Sequence, residues 1–525
     1  MPPGWCGTSV TPAPSSSAPR STDSDADREA LLRTRSLTAA ALDERPVLLA
    51  IGLLGALWGI AVAAGGLTSF YLCATLIACS LIVVDFRIGV VLLILLMPIS
   101  GSSTLFPHEM FGVVGLNPLN LLLAGTLFSC LLHAAADRSL RQFLPQPLLW
   151  LYIMPIVIAG AIGSRHIHEI APALLIVFQG LDFANAAAYL REWVAKPLLL
   201  VVFALLAGAA VAKSARPEKL LIPVIMSMCV MAVPVLVYVA HSGMSLHQLA
   251  GSEAEAREFL SPLGLHANDL GRLYASAVAL ALFTWSDSGS RGLRLALLLA
   301  LGLSLVALVL TFSRGGFVAM AVATVLYVLR RFSARTLIIT CVAVGGVLLF
   351  APHAIYERLS AGQGQGIDAI SAGRVNGLWL PLLPEVLHHP LFGNGIGAML
   401  WSDTMRRGAG SMTLAVTHPH NAFLQAALDM GLTGLVLLCA YFAHAWRGLR
   451  ALANDPDIPA GLRGFFQGAA AGLVGMLISD FTDSSLTPRP EQAFLWLAIG
   501  MMYGYRGRQS GAADIAQDES RGGRT

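Results

Sequence analysis

The stretch THPHNAFLQAALDMGLTG, Thr417 to Gly434, sets two histidines, His418 and His420, at the mouth of a long apolar segment that also carries Asp429. Three readings suit such residues: proton transfer by an imidazole, metal ligation by a histidine pair, or a polar lead-in to a buried helix. An unperturbed histidine titrates near pH 6.5, so it can serve as a general base at neutral pH. A metal is the weaker reading, because Pro419 separates the histidines and neither an HExxH pattern nor a carboxylate cluster lies nearby. The acids Asp480 and Asp483 would join as ligands only by coincidence of folding. Asp429 lies about 13 Å further along a helix rising about 1.5 Å per residue, and reads as a hydrogen-bonded structural group. On a helix starting at His420, Leu424, Ala427, Gly431 and Gly434 share one stripe. Small residues there would let a neighbouring helix approach closely and hold His420 at the rim.

A second group of candidates is basic. Arg314, in LVLTFSRGGFVAMAV, is flanked by small residues between two nearly continuous apolar runs. A guanidinium in that place needs an anionic partner, and its fork suits phosphate. The alternative is an interfacial arginine that snorkels to lipid headgroups. Gly315 and Gly316 open the next helix, whose N-terminal N–H groups favour anions, and the helix opening at Asn421 does the same. With Arg374, these features would converge on an anionic group such as a lipid-linked diphosphate. His266 and Asn268, in GLHANDLG, are further candidates for substrate contact or for loop structure.

The elements that must position these residues follow from composition. Of 525 residues, 56% are hydrophobic and 12% charged, and the mean hydropathy is +0.69. Apolar runs long enough to cross a hydrocarbon core recur along the chain, so the fold class is all-α, a polytopic integral membrane protein. Apolar runs between polar breaks give fourteen candidate spans, beginning near Val47, Leu67, Ile88, Phe111, Pro147, Val194, Leu220, Leu270, Leu293, Gly315, Thr336, Asn421, Gly464 and Glu491. The run from Ile88 to Ser100 is short enough to be re-entrant or broken, so the expected count is about 12–14. Six of the seven cysteines lie in apolar runs and behave as small hydrophobes. No disulfide framework, cofactor or nucleic-acid partner is expected.

Short-loop basic residues set the orientation. Arg87, Arg138, Arg141, Lys213, Arg216, Lys219, Arg291, Arg294, Arg330, Arg331, Arg335, Arg447, Arg450, Arg463, Arg506 and Arg508 all fall on one side, the cytoplasm. The expected organisation is a disordered cytoplasmic tail over 1–45, spans 1 to 11 over 46–352, a large extracytoplasmic loop over 353–419, C-terminal spans over 420–505 and a cytoplasmic tail over 506–525. Long structured loops are rarely idle, and this one is large enough to cover a site. Its middle, Arg374 to His388, reads as an amphipathic helix closed by a turn at HHPLFGNG. Arg314, Arg374, Arg406, Arg407 and Arg489 then stand on the outer side, against the charge rule.

These residues resemble the bacterial O-antigen ligase and polymerase superfamily. Its pattern of His, then Asn, Ser or Gln, nine residues, Gly, two residues, and Gly, Thr or Tyr is satisfied by His420-Asn421, Gly431 and Gly434. Its SRG at the start of a span is similar to Ser313-Arg314-Gly315, and its loop pattern to Arg374, Trp379 and HPLFGNGIG, His389 to Gly397. The resemblance centres on Leu293 to Leu438; upstream the chain matches only as a series of spans.

The resemblance implies a metal-independent, inverting glycosyltransferase of the GT-C type at the periplasmic face of the inner membrane. The donor would be a glycan on undecaprenyl diphosphate. His420 would take the acceptor proton, Arg314 and Arg374 would bind the diphosphate, and His418, Asn421, His266 and Asn268 are candidate substrate contacts. The acceptor would be lipid A-core for a ligase, a second lipid-linked glycan for an O-antigen or exopolysaccharide polymerase, or Ser/Thr for a protein O-oligosaccharyltransferase. HPHNAFLQ and the fourteen spans look more like polymerases, while the polar tails and two extra spans depart from a twelve-span ligase. The rivals are a small-anion transporter, which would place ionisable groups near mid-membrane, and an export scaffold, which leaves Arg314 unexplained.

Overall fold

A backbone surrounded by hydrocarbon must satisfy its N–H and C=O groups internally, which for apolar runs of this length means helix. The computed structural model bears this out over the residues it describes: 44–99, 107–137, 143–170, 174–175, 181, 183–243, 260, 263, 266–350, 356, 360, 364, 366–371, 373–407, 416–482 and 485–522. Helix α1 (Glu44–Val84) is interrupted at Gly66, where φ is +62°. It is followed by α2 (Phe86–Leu96), α3 (Pro118–Ala136), α4 (Gln146–Gly163), α5 (Ala186–Lys213) and α6 (Pro217–His241). Then come α7 (Ala267–Asp287), α8 (Arg291–Leu310), α9 (Arg314–Arg330), α10 (Ala334–Phe350), the loop helix α11 (Leu380–His388), α12 (Ala422–Asn454), α13 (Ala460–Ser479) and α14 (Ala493–Gly522). Eight of the described helices are long and apolar enough to cross a membrane. The protein is an all-α, polytopic membrane protein.

The chain divides into two units, residues 1–70 and 71–525. The described part of the first is residues 44–70 of α1, where Trp58 stacks on Phe70 at 5.5 Å across the break at Gly66. The second holds everything else. Its centre is α7, buried on nearly every face from Leu270 to Thr284. Gly464 and Gly468 on α13 let that helix lie directly on α7: a Cβ would fall 2.5 Å from the Phe283 carbonyl oxygen at one and 2.7 Å from that of Ala279 at the other.

Helical segments occupy each of the fourteen apolar runs, counting the two arms of α1 separately, but several limits differ from those the sequence suggests. The fourth begins at Pro118, because Asn117 caps it and a two-stranded hairpin, Glu109–Met110 with Val113–Val114, precedes it. The sixth begins at Ala186 under an Asn185 cap. The last continues through the polar C-terminal stretch to Gly522. The short third run ends in a 3-10 turn, Met97–Ile99. Residues 1–43, Arg138, Arg141, Asp483 and much of 351–365 lie outside the described residues.

The loop helix shows the expected amphipathicity. After a π turn at Val375–Trp379, α11 buries Leu382 and Val386, and Leu378 continues the same i, i+4 stripe backwards. The glycine stripe on α12 does not hold. Gly431 has φ +68° and ψ −178° and breaks the helix, so it is approached by the loop rather than by a packed helix.

Candidate active site

Three helices begin at one end of the second unit under side-chain caps. His266 Nδ1 accepts the Asn268 N–H at 3.2 Å at the start of α7. Ser313 Oγ accepts the Gly316 N–H at 3.2 Å at the start of α9. Asn421 Oδ1 accepts the N–H groups of Phe423 and Leu424, both at 3.1 Å, at the start of α12. Each cap satisfies donors that the helix itself cannot. The starts of α7 and α9 touch, since a Cβ on Gly271 would lie 2.4 Å from the Ser313 Cβ.

His420 precedes the α12 cap with φ +51°, a left-handed backbone rare outside glycine. In this turn the two imidazoles lie edge to face with centroids 4.2 Å apart. His418 Nε2 and His420 Nδ1 are 3.1 Å apart, and His418 Nδ1 lies 3.2 Å from Thr417 Oγ1. The loop clamps this turn, because the Trp379 indole N–H donates to the Pro419 carbonyl at 2.8 Å. Sequence reasoning offered His418 as a candidate substrate contact, not as a partner of His420. Only the reversed backbone at His420 pairs it with its neighbour.

The short 3-10 turn Asp480–Thr482, which ends α13, links the other candidates to this one. Arg374 Nη1 donates to the Thr482 carbonyl at 3.3 Å. Phe481 stacks on Phe423, in the first turn of α12, at 4.5 Å. A Cβ on Gly315, next to Arg314, would lie 3.9 Å from the Ser479 Cβ. Arg314, Arg374 and the histidine turn therefore gather around one hub. Arg406 and Arg407 do not join them: the first pairs with Glu169 at 2.7 Å and the second with Asp403 at 3.5 Å. Among the described residues, no group of three or more His, Cys, Asp or Glu side chains is arranged to hold a metal ion.

Deeper along α12, the loop turn Pro390–Gly397 docks onto the helix break. Asn394 N–H donates to the Leu428 carbonyl at 2.9 Å, Gly395 N–H to the Asp429 carbonyl at 3.0 Å, and Leu432 N–H back to the Pro390 carbonyl at 2.8 Å. The Asp429 carboxylate completes the join. Its Oδ1 accepts the N–H groups of Gly397 and Ala398, each at 3.0 Å, and its Oδ2 accepts from Gln425 at 2.8 Å. Asp429 is committed to holding the loop. On the other side of the turn, Ile396 N–H donates to the Ala159 carbonyl at 3.1 Å and the Tyr189 hydroxyl to the Ile396 carbonyl at 2.6 Å.

Residues 299–439 match the family model described as O-antigen ligase. That match supports the likeness to the O-antigen ligase/polymerase superfamily over this segment. No curated protein matches the chain. The matched segment runs from the middle of α8 through α9, α10 and the loop into α12, and so contains Arg314, Arg374, His418, His420, Asn421 and Asp429. It supports a ligase- or polymerase-type, glycosyltransferase-like function acting on lipid-linked glycans.

Outside the match, His266 and Asn268 sit at the start of α7, at the same end as Arg314. Sequence reading missed Arg272 beside them. It is buried, with Nη2 2.5 Å from Asp269 Oδ1 and 3.2 Å from Glu491 Oε1, the latter a residue of the turn leading into α14. The available signal was an Asp and an Arg spaced i, i+3 at the start of an otherwise apolar helix.

Proposed function

We propose that the protein is an inner-membrane glycosyltransferase that transfers or polymerises a glycan carried on undecaprenyl diphosphate at the periplasmic face. The observation that supports it is the gathering of Arg314, Arg374 and the His418–His420 turn around Asp480–Thr482. In this reading the two guanidiniums bind the diphosphate and offset charge on the leaving group. His420 accepts the proton of the acceptor hydroxyl as that oxygen attacks the anomeric carbon, and a single displacement inverts the centre without a metal.

The histidine pair gives the base a defined tautomer. If His420 Nδ1–H donates to His418 Nε2, and His418 Nδ1–H to Thr417 Oγ1, the proton is taken on His420 Nε2. His418 then orients the base and stabilises its charged form, the usual part of a third group behind a catalytic histidine. The polymerase reading is preferred to the ligase reading, on the likeness of HPHNAFLQ to polymerase-type members.

The test supplies purified protein with a lipid-linked repeat, first alone and then with lipid A-core. Chain growth in the first mixture identifies a polymerase; product only in the second identifies a ligase. His420→Asn is the informative variant, because asparagine tolerates the left-handed backbone that alanine resists. Turnover should fall by about 10²- to 10⁴-fold, the range for a lost general base. Wild-type turnover in this variant would sink the base assignment.

A further inference from the structure

We infer that the opposite end of α12 carries a second binding site, one for a phosphate-bearing anion. A cavity of about 480 Å³ opens there between the last turns of α7, α9 and α12 and the first turns of α13. Arg330, Arg331, Arg463, Asp287, Asn454 and Gln467 are among its lining residues. Its volume falls in the range of small-molecule sites, about 300–1,000 Å³. It is a long way from the transfer chemistry: past the break at Gly431, α12 still runs from Leu432 to Asn454, on the order of 33 Å at about 1.5 Å per residue.

The charges in the cavity do not cancel. Arg331 is neutralised by an ion pair with Asp287. Arg330 donates to the Asn454 carboxamide oxygen at 2.6 Å, a neutral partner. Arg463, half-buried, lines the cavity; its backbone N–H is bonded to the Pro459 carbonyl, and its guanidinium has no ion pair or hydrogen bond among the described residues. Two guanidiniums on different helices thus look into one concave space without a counter-charge. Surface arginines of a membrane protein ordinarily spread into water or lipid headgroups; here the fold concentrates them around a cavity. The N-terminal turn of α13 adds its partial positive charge, since Pro459 supplies no side-chain cap.

A tetrahedral oxyanion suits donors arriving from several helices, and arginine forks bind phosphate oxygens in pairs. The ligand class is therefore a phosphate group, carried either by an anionic phospholipid headgroup or by a free phosphate ion. Nothing in the site calls for covalent chemistry; it binds.

The experiment uses the full chain and a binding readout, so its outcome is independent of glycan transfer. Melting temperature is measured in detergent against inorganic phosphate, and in nanodiscs of phosphatidylcholine with and without phosphatidylglycerol. Native mass spectrometry counts retained phosphatidylglycerol. The wild type and Arg294→Gln should respond alike, because Arg294 is a basic residue near this end that packs over Trp285 outside the cavity. Arg463→Gln and Arg330→Gln should each weaken the response at least tenfold, and Arg463→Lys should retain part of it. A response to phosphatidylglycerol alone identifies the headgroup as the source; a response to inorganic phosphate as well identifies the free ion. Should one glutamine variant fail to fold, the other carries the test. The proposal is overturned if the wild type responds to neither probe, or if the cavity variants respond as Arg294→Gln does.

Discussion

His420 and Gly431 belong to one short motif on one helix, yet the structure gives them different work. At His420 a left-handed backbone holds two imidazoles against each other at the mouth of α12. At Gly431 the positive φ breaks the helix so that the loop backbone can lie in the gap. In the proposed reaction one end carries the base, and the other fastens the loop.

Substitution at Gly431 should have the largest effect on the fold. Its φ/ψ lies in a region open almost only to glycine, and a Cβ would fall 2.4 Å from the Leu391 carbonyl group. Strain and overlap act together, so Gly431→Ala should cost on the order of 3 kcal/mol or more. Folded protein recovered from the membrane should drop sharply. His420→Asn should leave recovery and melting temperature near wild type while turnover collapses. If the two variants behaved alike in both assays, the division of labour between the motif's ends would be wrong.

Much of this architecture was legible beforehand, and the parts that were not have physical reasons. Fourteen apolar runs between polar breaks mark the helices, because hydrocarbon leaves a long apolar segment little other choice. The loop helix was readable from its stripe, Leu378, Leu382 and Val386. Gly431 was not. A glycine that admits a close neighbour and one that breaks the helix look identical in a sequence, since the difference lies in φ. The pairing of His418 with His420 was hidden for the same reason. Arg314 and Arg374 stood out as charges on the unexpected side, but the hub that gathers them, Ser479–Thr482, lies beyond the matched segment and carries no motif of its own.

Asp429 sharpens the comparison at a smaller scale. It is the one acid deep in α12, so a transporter reading would lean on its charge, whereas the structure spends its oxygens on Gly397, Ala398 and Gln425. Asp429→Ala removes the acceptor of two buried N–H groups and should cost about 1–3 kcal/mol for each group left unsatisfied. Asp429→Asn keeps Oδ1 in place. The Gln425 side-chain carbonyl oxygen has no hydrogen-bond partner among the described residues, so a flip of that amide lets it accept from the new Nδ2. The asparagine variant should therefore melt within about 1 kcal/mol of wild type and retain transfer. Loss of function in Asp429→Asn with stability intact would assign the carboxylate a charge-dependent role.

The weakest fastening lies at the loop's outer edge, where Arg406 reaches Glu169 at 2.7 Å and His166 Nδ1 approaches the same carboxylate at 2.8 Å. The hydrogen bond to His166 is the main cause holding the Glu169 carboxyl below its ordinary range; burial opposes it, and the charge of His166 and the Arg406 guanidinium add to the lowering. A depressed carboxyl contributes stability above its unfolded pKa, and that contribution is lost as pH falls through its folded value. Melting curves of the wild type and Glu169→Gln should therefore differ at neutral pH and converge as pH drops below about 4. The gap should be small, less than ~1 kcal/mol, because both side chains of the Arg406 pair are 45% exposed and solvent screens them. The buried join at Asp429 and Gly431 should outlast this strap. A loop that detached when Glu169 was neutralised, read as a lost Trp379 fluorescence signature in a background with the other tryptophans replaced, would reverse the order of the two.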